Sequence, residues 1–184
     1  MNPRENDHFH PAENTLEPYV ILVDQNDNQI GIAGKMEAHE KALLHRAVSV
    51  FILDQEGKWI LQRRAFDKYH SNGLWTNTCC THPLPGETST AAAARRLKEE
   101  MGLECNLNEL FSFTYREKLE KGLTEHEFDH VFYGISSKDP VINTSEVEDW
   151  KAVSFDDLYT DIRENPSNYT YWFKKIYEKV NSRI

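Results

Sequence analysis

The chain has 184 residues, 39% of them hydrophobic and 28% charged, which suits one globular domain with a proper core. A net charge of −9 argues against broad nucleic-acid binding, which needs basic surface, and no run approaches the roughly 20 apolar residues of a membrane span. The three cysteines, Cys79, Cys80 and Cys105, are odd in number and two are neighbours, so no disulfide framework is implied and a reducing, cytoplasmic setting is expected.

Residues 1–18 read as a loose polar arm in which His8 and His10 are solvated, with no apolar stretch of a signal peptide. Residues 19–184 are expected to form a single domain. Tyr19 to Val23 is a short apolar run ending in the turn cluster Asp24 to Asn28, and Gln29 to Ala33 could return as a strand. Ala47 to Leu53 and Trp59 to Arg63 flank Asp54-Gln55-Glu56-Gly57, the pattern of a hairpin. The spacing of Thr90, Ala94, Leu97 and Met101 predicts a helix over 90–101, with Gly102 as its stop. Leu110 to Arg116 and Phe128 to Ile135 read as strands. Phe155 to Glu164 reads as a helix halted before Pro166, and Tyr169, Trp172, Phe173, Ile176, Tyr177 and Val180 mark a final amphipathic helix. Strands mixed with three helices in no strict βαβ order predict an α+β fold or a mixed-sheet α/β sandwich.

The stretch Trp75 to Pro83 carries the most chemistry. It sets a candidate proton-transferring thiol, Cys80, two residues from a candidate metal ligand, His82. His39, His45 and His82 fall in expected loop or strand-edge positions. Glu125 and Glu127 sit just before a strand, and side chains at i and i+2 of an extended chain point the same way, so both can converge on one ion. Three imidazoles and two carboxylates suit a borderline divalent metal such as zinc or manganese. His126 and His130 should face away, whereas Asp129 shares the glutamate face and could support the ligands. Lys35, Arg63, Arg64, Lys68, Arg95 and Arg96 could assemble a local diphosphate pocket, arginine by its bidentate fork and lysine as a point charge. Glu87, Glu99 and Glu100 lie near a loop–helix junction, where carboxylates suit magnesium bound together with substrate phosphates. No Gly-x-Gly-x-x-Gly follows a strand, so no nicotinamide or flavin is suggested.

Taken in order and spacing, Lys35 to His39, Leu44 to Ala47, Gln62 to Ala65, Leu74 to Pro83, Gly86-Glu87, Arg95 to Gly102, Tyr115-Arg116, Glu125 to Glu127 and Tyr171-Trp172 resemble the type I isopentenyl-diphosphate isomerases of the Nudix-like superfamily. The resemblance runs from about Tyr19 to Val180 and implies a Nudix-like α/β/α sandwich with a mixed sheet. Of the loop–helix signature Gly-x5-Glu-x7-Arg-Glu-U-x-Glu-Glu-x-Gly-U, with U aliphatic, Glu87, Arg95, Leu97, Glu99, Glu100, Gly102 and Leu103 match. Thr81 replaces the first glycine, and Arg96 replaces a glutamate that hydrolases use around magnesium. That second departure weighs against the rival reading, a Nudix-type diphosphate hydrolase.

By this resemblance His39, His45, His82, Glu125 and Glu127 would bind a divalent metal, Mn2+ or Zn2+. Glu100, with the Cys80 carbonyl, would bind the Mg2+ that bridges to a prenyl diphosphate substrate. Lys35, Arg64, Lys68 and Arg96 would hold the diphosphate. Cys80 and Glu127 would be the catalytic acid/base pair, Glu127 the acid assisted by Tyr115 and Cys80 the base, with Trp172 stabilising a cation through its π face. Cys79 should turn away from the pocket. A metal- or nucleotide-binding module without turnover is the remaining alternative, in which Cys80 and Trp172 would be dispensable. A closed structural metal site is weaker still, since five candidate ligands exceed its need.

Overall fold

The computed structural model describes residues 19–68 and 70–184; the expected arm, with His8 and His10, lies outside them. In chain order the elements are β1 (Tyr19–Val23), β2 (Gln29–Gly34), α1 (Lys35–Glu40), β3 (His45–Leu53), β4 (Trp59–Arg64), β5 (Trp75–Thr76), β6 (Cys79–Thr81), α2 (Ser89–Met101), β7 (Asn108–Lys118), β8 (Thr124–Ile135), β9 (Val147–Val153), α3 (Phe155–Glu164) and α4 (Tyr171–Asn181). The described strands join in one mixed sheet built around β3. Along one side β3 runs parallel to β8 over its whole length, His45 opposite Glu127 through Leu53 opposite Ile135. Its other side is shared out by β1 at Leu22–His45, β6 at Val48–Val50 and β4 at Ile52–Leu53, all antiparallel.

The period-2 alternation of β3 sorts its residues between two layers. Val48, Val50 and Ile52 face α2, where they pack with Ala92, Ala93, Leu97 and Met101. Phe51 faces the other way, against Leu158, Ile162, Phe173 and Ile176 of α3 and α4. The result is the α/β/α sandwich, with a small third cluster of Val20, Ala33 and Ala38 under α1. On the α3–α4 side the face of β3 and β8 changes character along its length. It is apolar at Phe51 and Val131 but polar at His45, Ser49, Glu125, Glu127 and Asp129. The polar end is the floor of a cavity of about 310 Å³.

Several expected boundaries shift. α2 begins at Ser89, where the Thr88 hydroxyl caps the helix by accepting from the Ala91 N–H at 3.1 Å, worth about 1 kcal/mol. Its buried stripe is Ala92, Ala93, Leu97, Glu100 and Met101, while Thr90 and Ala94 are exposed: the expected face was rotated by about one position, because alanine marks no side by itself. Gly102 ends the helix at φ 65°, and a Cβ there would meet the Val141 carbonyl at 2.7 Å. β8 starts at Thr124, so Glu125 and Glu127 lie inside a strand rather than before one. α4 starts at Tyr171, and Tyr169 is instead bridged to Trp75. His39 lies in α1, not in a loop.

Candidate active site

The five expected ligands converge. α1 supplies His39, the first residue of β3 is His45, His82 follows β6, and β8 presents Glu125 and Glu127 on one face; one donor atom from each lies within 4.8 Å of all the others. His39 Nδ1 donates to the Lys35 carbonyl at 2.7 Å and His45 Nδ1 to the Leu43 carbonyl at 2.8 Å. A carbonyl has no proton to give, so each ring carries its proton on Nδ1 and turns an Nε2 lone pair inward. There His39 Nε2 stands 3.2 Å from Glu125 Oε2, and His45 Nε2 3.2 Å from His82 Nε2. Glu125 Oε2 is buried and accepts no hydrogen bond from any of the described residues. Lone pairs converging in a buried space repel one another unless a cation sits among them, and the mixed N/O set suits a borderline divalent ion. The residues therefore fit a metal.

Electrostatics of the protein alone point the same way. Burial pushes the His82 imidazole down to about 3 and that of His70 likewise to about 3, and it lowers His39. Burial opposes charge on Glu127 as well, but the His45 and His82 rings beside it outweigh that and hold the carboxyl well below the usual range. Burial and the neighbouring Glu127 raise Glu125. A histidine whose folded pKa is depressed binds fewer protons folded than unfolded. Its stability contribution is thus full above the unfolded value of about 6.5 and is lost as pH falls toward 3. Because the raised carboxyls of Glu125 and Asp129 have the opposite slope, the effect is read by difference: His70→Gln is expected to remove roughly 1.4 kcal/mol per pH unit of acid destabilisation from the metal-free protein below pH ~6, read as melting temperature against pH, and a slope unchanged from wild type between pH ~6.5 and ~4.5 would refute this.

Cys80 lies opposite Ser49 across the β3–β6 pairing, while Glu127 lies opposite His45 on the other side of β3, both side chains on the cavity face. Cys79 is fully buried against α2, turned away as expected. Cys80 Sγ donates to Asn77 Oδ1 at 3.1 Å, and Asn77 is itself oriented by donating Nδ2 to the Val50 and Cys79 carbonyls at 3.1 and 2.9 Å. Burial pushes the Cys80 thiol up to about 12, Asp129 adding to the shift. The Tyr115 hydroxyl donates to Glu127 Oε2 at 2.6 Å. In the protein without metal, burial thus favours the protonated thiol. Asp129 does not touch the ligand cluster; it accepts from Ser49 Oγ at 2.7 Å, and Ser49 lies beside the thiol.

Lys35, Arg64, Lys68 and Arg96 all line the cavity. Burial pushes the Lys35 ammonium down to about 8, partly offset by Glu125. Arg64 lies 5.4 Å over the Trp172 ring, so one face of that indole already carries a cation. Trp172 belongs to the α4 core cluster and also lines the cavity, and its Nε1, like Arg64 Nε, is a buried donor without a hydrogen-bond partner among the described residues. Glu100 lies outside the five-ligand cluster. It accepts from Gln62 Nε2 at 2.9 Å and from Arg96, and Gln62 also donates to the Thr78 carbonyl at 2.8 Å, tying Glu100 to the stretch that bears Cys80. Glu87 is engaged by Arg95 and by the Leu84 N–H, a lock on the loop before α2 rather than a cavity carboxylate. Arg63 caps the Gly73 carbonyl and stays out of the cavity lining. Thr81 sits in extended β6, where no left-handed backbone calls for glycine.

Sequence reasoning missed His70 and Glu146. His70 is 5% exposed, with Nε2 3.4 Å from Glu125 Oε1 and its ring edge-on to Trp172. Glu146 accepts from Arg96 at 3.0 Å and from Lys68. Their cavity partners Glu125, Trp172 and Arg96 lie far away in sequence, so no local pattern marks them. His126 and His130 lie off the cavity, bonded to the Ala42 carbonyl and to Asp27 and Glu109.

The sequence and the fold are similar to those of known proteins. The NUDIX domain family matches residues 43–173. Isopentenyl-diphosphate Delta-isomerase 2 of Aromatoleum aromaticum is 52% identical, over 91% of this chain and 88% of its own length. The enzyme of the same name from Photorhabdus laumondii is 51% identical, over 88% and 91%. Among solved structures, a protein of Deinococcus radiodurans superposes with a TM-score of 0.66 at 19% identity, covering 80% of this chain and 90% of that one. The MutT protein of Methanosarcina mazei does so at 0.62 and 18%, covering 76% and 94%. These two show the fold. With more than half its residues in the NUDIX match and half its positions shared with such relatives along most of its length, the chain belongs to the isopentenyl-diphosphate Delta-isomerase family within the NUDIX fold.

Proposed function

We propose that this protein interconverts isopentenyl diphosphate and dimethylallyl diphosphate. The observation that carries the reading is the placement of two proton-handling groups, Cys80 and the Tyr115–Glu127 pair, on either side of β3 around one cavity that also gathers five basic side chains, Arg95 with the four named above. The allylic shift needs one proton delivered to the terminal carbon and one removed from C2. Reversibility makes each group an acid in one direction and a base in the other. We assign these transfers to Cys80 and Glu127, with Tyr115 holding the Glu127 carboxylate in place through its hydroxyl.

Protonating an unactivated alkene creates a tertiary cation, so the site must keep water away from it. Trp172, Tyr115 and the α4 cluster form the apolar wall that does this. With one indole face engaged by Arg64, the cation would meet the rest of the Trp172 ring. Lys35, Arg64, Lys68 and Arg96 would hold the diphosphate and so place the alkene between the two proton carriers. His39, His45, His82, Glu125 and Glu127 would hold a Mn2+ or Zn2+ ion, and Glu100, with the Cys80 carbonyl, a Mg2+ ion shared with the diphosphate. When bound, such ions supply positive charge that fixes carboxylates and neutralises phosphate oxygens. The small prenyl diphosphate is the only partner this reading requires. Residues 19–184 would act as one catalytic domain, and the free thiols support the reading of a cytoplasmic enzyme.

NMR of isopentenyl diphosphate incubated with the protein and magnesium in heavy water tests the reading. Dimethylallyl diphosphate with deuterium entering the methyl and C2 positions is the expected outcome. Inorganic phosphate without isomer would instead identify a hydrolase, a result that Arg96 at the glutamate position of the α2 signature argues against.

A further inference from the structure

Glu146 has no part in the chemistry above, yet it organises the cationic wall. It sits immediately before β9, pinned by its own carbonyl, which accepts from the Ala65 N–H at 3.2 Å next to Arg64. Its carboxylate accepts from Lys68 Nζ and, at 3.0 Å, from Arg96 Nη2. Two of the five basic side chains lining the cavity are thus engaged by one anion, Arg95 is held by Glu87 and Glu99, and Arg64 has no carboxylate partner among the described residues. The Lys68, Arg96 and Glu146 side chains are 22%, 21% and 26% exposed, so a solute can reach all three. Burial opposes charge on Glu146, but Lys68 and Arg96 prevail and keep it ionised. To an ammonium or a guanidinium, a carboxylate and a phosphate offer the same thing, anionic oxygens at hydrogen-bond distance.

We propose that Glu146 is a built-in competitor for the substrate diphosphate, occupying Lys68 and Arg96 in the ligand-free enzyme, ceding them on binding and reclaiming them on release. This rests on the diphosphate reading above. A diphosphate ester is a trianion at neutral pH, and it enters a wall whose charge is already partly spent on Glu100 and Glu146. Glu146 therefore sets how tightly the diphosphate is held, in substrate and product alike, rather than the height of the chemical barrier. Weak holding keeps product release from limiting turnover.

Calorimetric titration of the metal-loaded enzyme with inorganic pyrophosphate in the presence of magnesium tests this. Glu146→Gln removes the charge and keeps the shape; it is expected to bind pyrophosphate at least about tenfold more tightly, with KM falling in parallel and kcat not rising. Unchanged or weaker binding overturns the proposal, since Glu146 would then only prop Lys68 and Arg96 in position. If Glu146→Gln does not fold, Glu146→Asp decides. Its carboxylate, drawn back by one methylene, cannot span both cations and should bind pyrophosphate more tightly than wild type, and no tightening overturns the proposal. A wild-type enzyme that isomerises the alkene but shows no tightening in these variants fails the inference alone, whereas a wild type that neither binds pyrophosphate nor isomerises takes the underlying reading down as well.

Discussion

Cys80→Ala is expected to lower isomerisation by about 10³-fold or more while leaving the fold and metal content intact, the upper part of the range for losing a general acid–base group. The thiol has no substitute: Ser49 and Asn77 lie beside it but are committed, the first to Asp129 and the second to two backbone carbonyls. Neither Cys80 nor its neighbours belong to the five-ligand cluster, so bound metal should stay stoichiometric. Losing one sulfur from a half-buried position should cost about 1 kcal/mol. Cys79→Ala is the matched control. Cys79 packs with Ala92 and Leu97 on the far side of the sheet, so its loss should lower the melting temperature and spare most of the activity. The comparison is made by the NMR assay with melting curves for both variants, and a Cys80→Ala enzyme with a tenth or more of wild-type turnover would refute the assignment.

Stripping divalent ions with a chelator should abolish turnover and lower the melting temperature by about 10 °C, both reversed by adding back manganese or zinc with magnesium. A ligand present at a thousand times its dissociation constant adds about 4 kcal/mol to the folded state, and a domain of this size shifts by ~2–4 °C per kcal/mol. The structural reason is local. Without a cation, the Nε2 atoms of His39, His45 and His82 and the oxygens of Glu125 and Glu127 face one another in a largely buried space at the cavity floor. Differential scanning calorimetry with and without chelator reads the effect. Full activity in protein shown by elemental analysis to be metal-free would refute it.

Much of this site was legible from sequence because its chemistry follows short periods. Glu125 and Glu127 alternate along a strand, so their shared face could be deduced without knowing where β8 begins. Cys79 and Cys80 are adjacent on β6, so one had to face α2 and the other the cavity. What escaped lacks a period or depends on distant partners. β5 and β6 have two and three residues, too few to alternate visibly. α1 has six, too short to show an amphipathic stripe, and its place is settled by tertiary contacts such as buried Ala38 under β1 and β2. Arg96 was expected to be available for phosphate, but three carboxylates, Glu99, Glu100 and Glu146, hold it in the ligand-free protein, and Glu146 is fifty residues away.

The division of labour along β3 restricts how this family can change in length. Odd positions from His45 to Phe51 serve the catalytic layer and even positions from Val48 to Ile52 serve the helical core. Deleting one residue inside the strand would reverse the facing of every residue on one side of the cut, exchanging cavity and core positions there and losing chemistry and packing in one step. Insertions and deletions can survive only where no alternation has to be kept, in the Lys41–Leu44 link before the strand and the Asp54–Lys58 turn after it.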